Sequence, residues 1–330
     1  MGLLSAIAGF LKPEPPPDAA TRQALERIGE LVGPLLKTAP GFDHHLAAPV
    51  HHALGYCEGL VAGLPGPIDI DSRAFANDPL VHALFATAND IRLMLGKSQA
   101  VRDYLADPAC LASDHFYALF AARRQQKRQL GLAMQGEVIH NDVPQTVLYF
   151  SDQTLVEPHC DLPETLSHLR ASAFDSLLHS FHAHVEALRL ERDIARGDSS
   201  AERSHLAILR GSTPGPEYAV HTRRLAELDT HLRQVAASLM PDQLAAALAD
   251  FLLTPEASLH LRPVSVTVNR LGVITDEAAT AATDVDTLHF PELTGRDKRL
   301  YLVLLARIER AEAQAAVASV NDQLHRFMLI

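Results

Sequence analysis

The sequence predicts an α+β protein, predominantly α-helical, with an antiparallel long-helix pair, a small β-hairpin and a small C-terminal antiparallel β section. Three observations predict it. Apolar residues recur at alternating steps of four and three in two stretches, Phe174, Leu178, Phe181, Val185, Leu188 and Leu225, Leu228, Leu232, Val235, Leu239. Each stretch makes a coiled-coil-like seam about 21 Å long at helical rise. The pattern switches to extended runs after Gly136, and Val264, Val266 and Val268 alternate with Ser265, Thr267 and Asn269 as a half-buried strand does.

Residues 1–12 form a short amphipathic segment. Coiled into a helix, Leu3, Leu4, Ile7, Phe10 and Leu11 share one face, while Ser5, Gly9 and Lys12 fall opposite. Such a face can pack on the protein's own core, on a partner protein or on an anionic membrane surface. A segment with two glycines also forms only a marginal helix in water. It is too short to span a bilayer, lacks the basic start of a secretory signal, and carries Ala6 where a myristoylation pattern requires Ser or Thr. Residues 13–18, with Pro13, Pro15, Pro16 and Pro17, read as a stiff tether of polyproline geometry.

Helical periodicity then extends over residues 19–131. One helix carries Leu25, Ile28, Leu31, Val32 and Leu35, and a second runs from Asp43 to Val61, interrupted or entered at Pro49. Gly63 to Pro67 is a loop by its glycines and prolines; Asp69-Ile70-Asp71-Ser72 after it weakly resembles the aspartate pair of phosphotransferases that use an aspartyl intermediate, but without a buried strand before it a loop is expected. Asp78-Pro79 reads as a cap with proline in the first turn of a helix through Leu80, Leu84 and Ile91. Asp114 is expected to cap a further helix carrying Phe116, Leu119 and Phe120. Arg123, Arg124, Lys127 and Arg128 would close that helix, either as a solvated end or as an anion-binding patch.

Residues 132–160 form the β-hairpin region. Glu137 to Ile139 and Thr146 to Phe150 are strand-like around a turn at Asn141-Asp142-Val143-Pro144, and Thr154 to Val156 adds a short strand. Residues 161–256 hold the long helical hairpin. Its first helix spans Pro163 to Arg196, and the connection from Gly197 to Pro216 contains a short helix at Glu202–Leu209. Residues 257–330 form the small α+β region, with a turn at Asn269–Gly272, a return at Val273-Ile274 and pairing at Leu288 to Phe290. Leu300 to Leu305 suits a strand or a helix start, and Glu309 to Met328 is helical.

Composition narrows the function classes. The chain of 330 residues has room for about two domains. Its net charge of −11 makes nucleic acid an unexpected partner. No run of 18 apolar residues appears, so no transmembrane helix is expected. Cys57, Cys110 and Cys160 are odd in number and far apart, which points to a reducing, cytoplasmic location, with peripheral membrane attachment if the leader segment docks there.

Eighteen histidines invite a metal reading. Asp175, His179, His182 and Glu186 lie at steps of four, three and four, one ribbon along a helix whose nitrogens and oxygens suit zinc or iron. The same spacing suits ordinary surface pairs. His159-Cys160-Asp161 has ligand-type atoms without zinc-finger partner spacing. The motifs with known mechanics, from glycine-rich phosphate loops to His-Glu-x-x-His, do not occur. The first expectation is therefore a non-catalytic adaptor or scaffold binding partner proteins without a cofactor. The alternative is a metal-dependent enzyme or metal sensor using the Asp175–Glu186 ribbon.

Overall fold

The computed structural model describes residues 18–135, 138–210, 215–275, 285–295 and 299–328. The leader segment with Leu3, Leu4, Ile7, Phe10 and Leu11 lies outside the described residues, as does its tether up to Pro17. In chain order the elements are α1 (Ala19–Leu31), α2 (Phe42–Ala62), β1 (Ile68–Asp69), α3 (Ser72–Asn77), α4 (Pro79–Leu84), α5 (Ala88–Lys97), α6 (Gln99–Ala106), β2 (His115–Gln135), β3 (Val138–His159), α7 (Leu162–Leu209), α8 (Pro216–Ser238), α9 (Pro241–Leu253), β4 (His260–Asn269), β5 (Val285–Thr294), β6 (Leu300–Glu309) and α10 (Arg310–Met328). The chain is helix-rich and mixed α and β, with one six-stranded sheet. No single helix among the described residues is long and apolar enough to cross a membrane.

Two compact units emerge, Met1–Gly55 with Leu177–Pro255, and Tyr56–Ser176 with Glu256–Ile330. The first unit is helical. Asp18 caps α1 by accepting from the Thr21 amide at 2.7 Å. Leu46, Val50, Leu177, Leu178, Phe181, Val185, Leu248 and Leu252 are buried, and the rings of Phe181 and Phe251 meet at 5.5 Å. Between α7 and α8, Ser199 donates to Asp229 at 2.6 Å, His231 lies 3.1 Å from Glu191, and His221 bonds the buried Glu202.

In the second unit the strands follow the order β3-β2-β6-β5-β4, all antiparallel, and β1 adds to β6 in parallel. Bidentate bonds from Arg307 to Asp69, at 2.5 and 2.7 Å, fasten β1 and hold the Asp69 carboxyl below its ordinary range. The Asn269–Gly272 turn requires its glycine, because φ is +73° and a Cβ would lie 3.0 Å from the Leu148 carbonyl. Beyond it, Val273 bridges Val147 of β3 and Ile274 bridges Val268 of β4, so the two ends of the strand path are tied together.

Alternation along the strands separates two apolar surfaces. Phe116, Ala118, Phe120 and Ala122 of β2 join Leu302, Leu304, Ala306 and Ile308 of β6 in the main core, with Leu84, Phe85, Ile91 and Leu95 against them. The intervening Leu119 and Leu305 pack instead with Val61, Leu166 and Leu169.

Several expectations are corrected. The segment from His115 to Gln135 is a strand, not a helix capped by Asp114 and closed by the basic residues. Ala118 and Ala122 join Phe116 and Phe120 in the core, so the period is two, and the Asp114 carbonyl accepts from the Arg310 amide at 2.8 Å. The residues Asn141 to Pro144 lie inside β3 rather than at a hairpin turn. Asp142, at φ +59°, fits the register shift opposite Gly131 to Ala133, so turn chemistry serves a β-bulge there. Gly197 does not end a helix; α7 continues through it to Leu209 and absorbs the short helix expected at Glu202. Of the two alternatives open for Leu300 to Leu305, the structure has the strand. The Asp78 cap is present, accepting from the Leu80 and Val81 amides, although its helix stops at Leu84.

Burial has a measurable consequence at the thiols. Cys57 is fully enclosed, and desolvation pushes its thiol up to about 12. Since the thiolate is the nucleophile, maleimide at pH 7.5 is expected to modify the partly exposed Cys160 first and Cys57 only on unfolding. Peptide mapping by mass spectrometry checks this, and equal rates at the two positions would contradict the enclosure.

Candidate functional site

The feature that stands out is the β2–β3 ribbon. Strand β6 pairs with β2 only from His115 to Arg123, whereas β3 pairs with β2 out to Gln135. The extension covers about 40 Å at strand rise. Among the described residues, no strand pairs with the second edge of β2 beyond Arg123. Gln126, Lys127, Arg128, Gln129 and Leu130 are exposed along it. Leu130 is 66% accessible, a large apolar side chain left in solvent.

The predicted basic patch sits at the root of this ribbon, but its four members do not share a face. On a helix, positions 123, 124, 127 and 128 would form one cluster; on a strand, Arg123 and Lys127 face one way and Arg124 and Arg128 the other. The two arginines nearest the sheet are also neutralised. Arg123 meets Asp152 at 3.3 Å, beside a bulge where Asp152 adopts φ +55°. Arg124 places Nε 2.6 Å from Oε1 of Glu292, whose side chain is 5% exposed. The remaining cations, Lys127 and Arg128, stand opposite Val147 and Thr146.

Asp175, His179, His182 and Glu186 all lie on α7. His182 turns Nδ1 toward the Val32 carbonyl at 3.3 Å, and Glu186 accepts from Arg189 at 2.6 Å. His182 Nε2 and Glu186 Oε1 are 3.9 Å apart. These four do not converge as a ligand set. Among the described residues, the metal-type donors that do converge are Glu157, His159 and His168. Sequence reasoning reached His159 but not its two partners. The usable signal was a histidine early in the helix that follows Glu157-Pro158-His159.

An open cleft beside α5, α6 and β3 is lined by Asp90, Lys97, Asp152 and Gln153. Most of its polar groups hold the fold itself. Asp90 completes the cap of α5 with Thr87, Asp152 pairs with Arg123, and Gln153 donates to the Leu84 and Phe150 carbonyls. Asp71, in the stretch after the loop at Gly63, caps α3 by accepting from Ala74 at 2.6 Å.

No protein family, curated protein or solved structure matches this chain.

Proposed function

We propose that the protein is a non-catalytic adaptor or scaffold that binds partner proteins, with the β2–β3 ribbon as a docking element. The observation that carries this reading is that, among the described residues, no strand pairs with the second edge of β2 beyond Arg123. A two-stranded ribbon alone is only marginally stable in water, and an unpaired strand edge offers its backbone donors and acceptors to another chain. Lys127 and Arg128 oppose pairing with a second copy carrying the same charges and favour an extended segment with carboxylates. The occupant is therefore an acidic, extended stretch of a partner protein. The seams on α7 and α8, taken as an antiparallel long-helix pair, would serve as internal bracing, since Leu178, Phe181, Val185 and Val235 are buried.

The test uses an extended peptide of alternating Glu and Val. Binding is expected to slow amide hydrogen exchange over residues 124–131, and Lys127→Glu with Arg128→Glu is expected to weaken it about tenfold or more with unchanged circular dichroism. Unaltered exchange on β2, or unaltered affinity in the charge-reversed variant, would remove the ribbon from the proposal. Deleting residues 1–12 tests the leader separately, through partner recovery and membrane fractionation.

A further inference from the structure

We infer that Glu157, His159 and His168 form a binding site for a zinc-class divalent cation, distinct from the ribbon and from the histidines farther along α7. Glu157 and His159 end β3, and His168 lies in the second turn of α7. One ligand atom from each falls within 4.8 Å of the other two. Oε2 of Glu157 is the common neighbour, 3.5 Å from Nε2 of His159 and 3.8 Å from Nδ1 of His168.

Those separations decide between two explanations. A carboxylate hydrogen-bonded to imidazole brings the heavy atoms to about 2.7–3.2 Å. Ligands around a tetrahedral zinc, with arms of about 2.0–2.1 Å, stand about 3.4 Å apart. The observed spacing is too long for the first and near the second. Nε2 of His159 is also shut off from solvent and has no hydrogen-bond partner. A buried nitrogen left so carries a free-energy cost that a metal–nitrogen bond removes.

The surroundings agree. Ser172 donates to Oε1 of Glu157 at 2.9 Å, which orients the carboxylate and leaves Oε2 to the cation. Glu164 stands 3.8 Å from Nδ1 of His159, near this ring but beyond hydrogen-bond reach. The two imidazoles lie with centroids 4.0 Å apart and planes inclined by 24°, and a nitrogen of each is within 3.8 Å of Oε2 of Glu157. Glu157 adopts φ +52°, an uncommon conformation for this residue, at a register shift between Leu119 and Tyr117. Such bulges re-aim side chains beside functional sites. Two imidazoles and one carboxylate select zinc-class ions over magnesium or calcium, and three protein ligands leave a fourth position for water.

The full-length chain, stripped of metal with a chelator and titrated with Zn(II) by calorimetry, is expected to bind one equivalent. His168→Ala is expected to weaken that event at least tenfold. His168 is half exposed, so this variant should fold, and its circular dichroism is compared with the parent. Glu157→Gln is expected to act in the same direction, whereas His182→Ala is expected to leave it unchanged. Co(II) gives an independent readout, a tetrahedral visible absorption band lost with His168→Ala. Equal zinc affinity in the parent and His168→Ala, or loss of binding only in His182→Ala, would overturn the assignment.

Discussion

Phe120→Ala is expected to destabilise the sheet-bearing unit by about 3–5 kcal/mol, the usual range for removing a buried phenylalanine. Phe120 is fully buried, its ring centroid 5.8 Å from that of Phe85, in a layer shared by β2, β6 and the covering helices. Truncation removes the apolar contacts and leaves a space that packed neighbours on several elements refill only partly. Small domains hold together by about 5–15 kcal/mol, so one substitution forfeits a large share. Urea unfolding followed by circular dichroism reads the change as a lowered midpoint. Leu130→Ala on the same strand is the control: its side chain is largely in solvent, and the expected change is within about 0.5 kcal/mol. Similar losses in the two variants would contradict the assignment of β2 to a sheet whose inner face begins at Phe116 and ends at the ribbon.

That strand also shows where the sequence was legible and where it was not. Phe116, Leu119 and Phe120 satisfy the helical spacing, while Phe116, Ala118, Phe120 and Ala122 satisfy the strand spacing. Small alanines carry little apolar signal, so local spacing alone favours the helix, whereas pairing with β6 imposes the period of two. The valines at 264, 266 and 268 were readable because β-branched residues alternate there with polar ones. Gly197 looked like a helix end, yet one glycine costs only about 1 kcal/mol in a helix. Flanking burial at Ala195, Ser199 and Glu202 carries α7 past it. Of the candidate sites, the basic residues were found but assigned the wrong geometry. The convergence of His168 on His159 depends on how the end of β3 meets the start of α7: a histidine early in that helix is the local signal, and the approach itself is set by tertiary packing.

Breaking the ion pair at the root of the ribbon should have an effect as large as the aromatic truncation. Glu292 is 4% accessible, and Arg124 supplies Nε at 2.6 Å and Nη2 at 3.4 Å to its two oxygens. The pair stands on the inner side of the sheet, since Glu292 follows Leu288 and Phe290 at alternate positions on β5 and Arg124 pairs across from the buried Phe150. Arg124→Ala would leave a carboxylate enclosed without its cation, a change that costs about 3–5 kcal/mol in comparable settings. Replacing both members, Arg124→Leu with Glu292→Leu, removes the stranded charge and should recover much of the loss, because desolvation of the pair already offsets most of its attraction. Urea unfolding of Arg124→Leu, Glu292→Leu and the double variant closes a thermodynamic cycle. A double variant as weak as Arg124→Ala would mean that Arg124 acts through packing of its stem rather than through Glu292. Hydrogen exchange separates the local consequence: if the pair anchors the ribbon, Arg124→Ala should speed exchange from 124–135 more than from the β2 residues paired with β6.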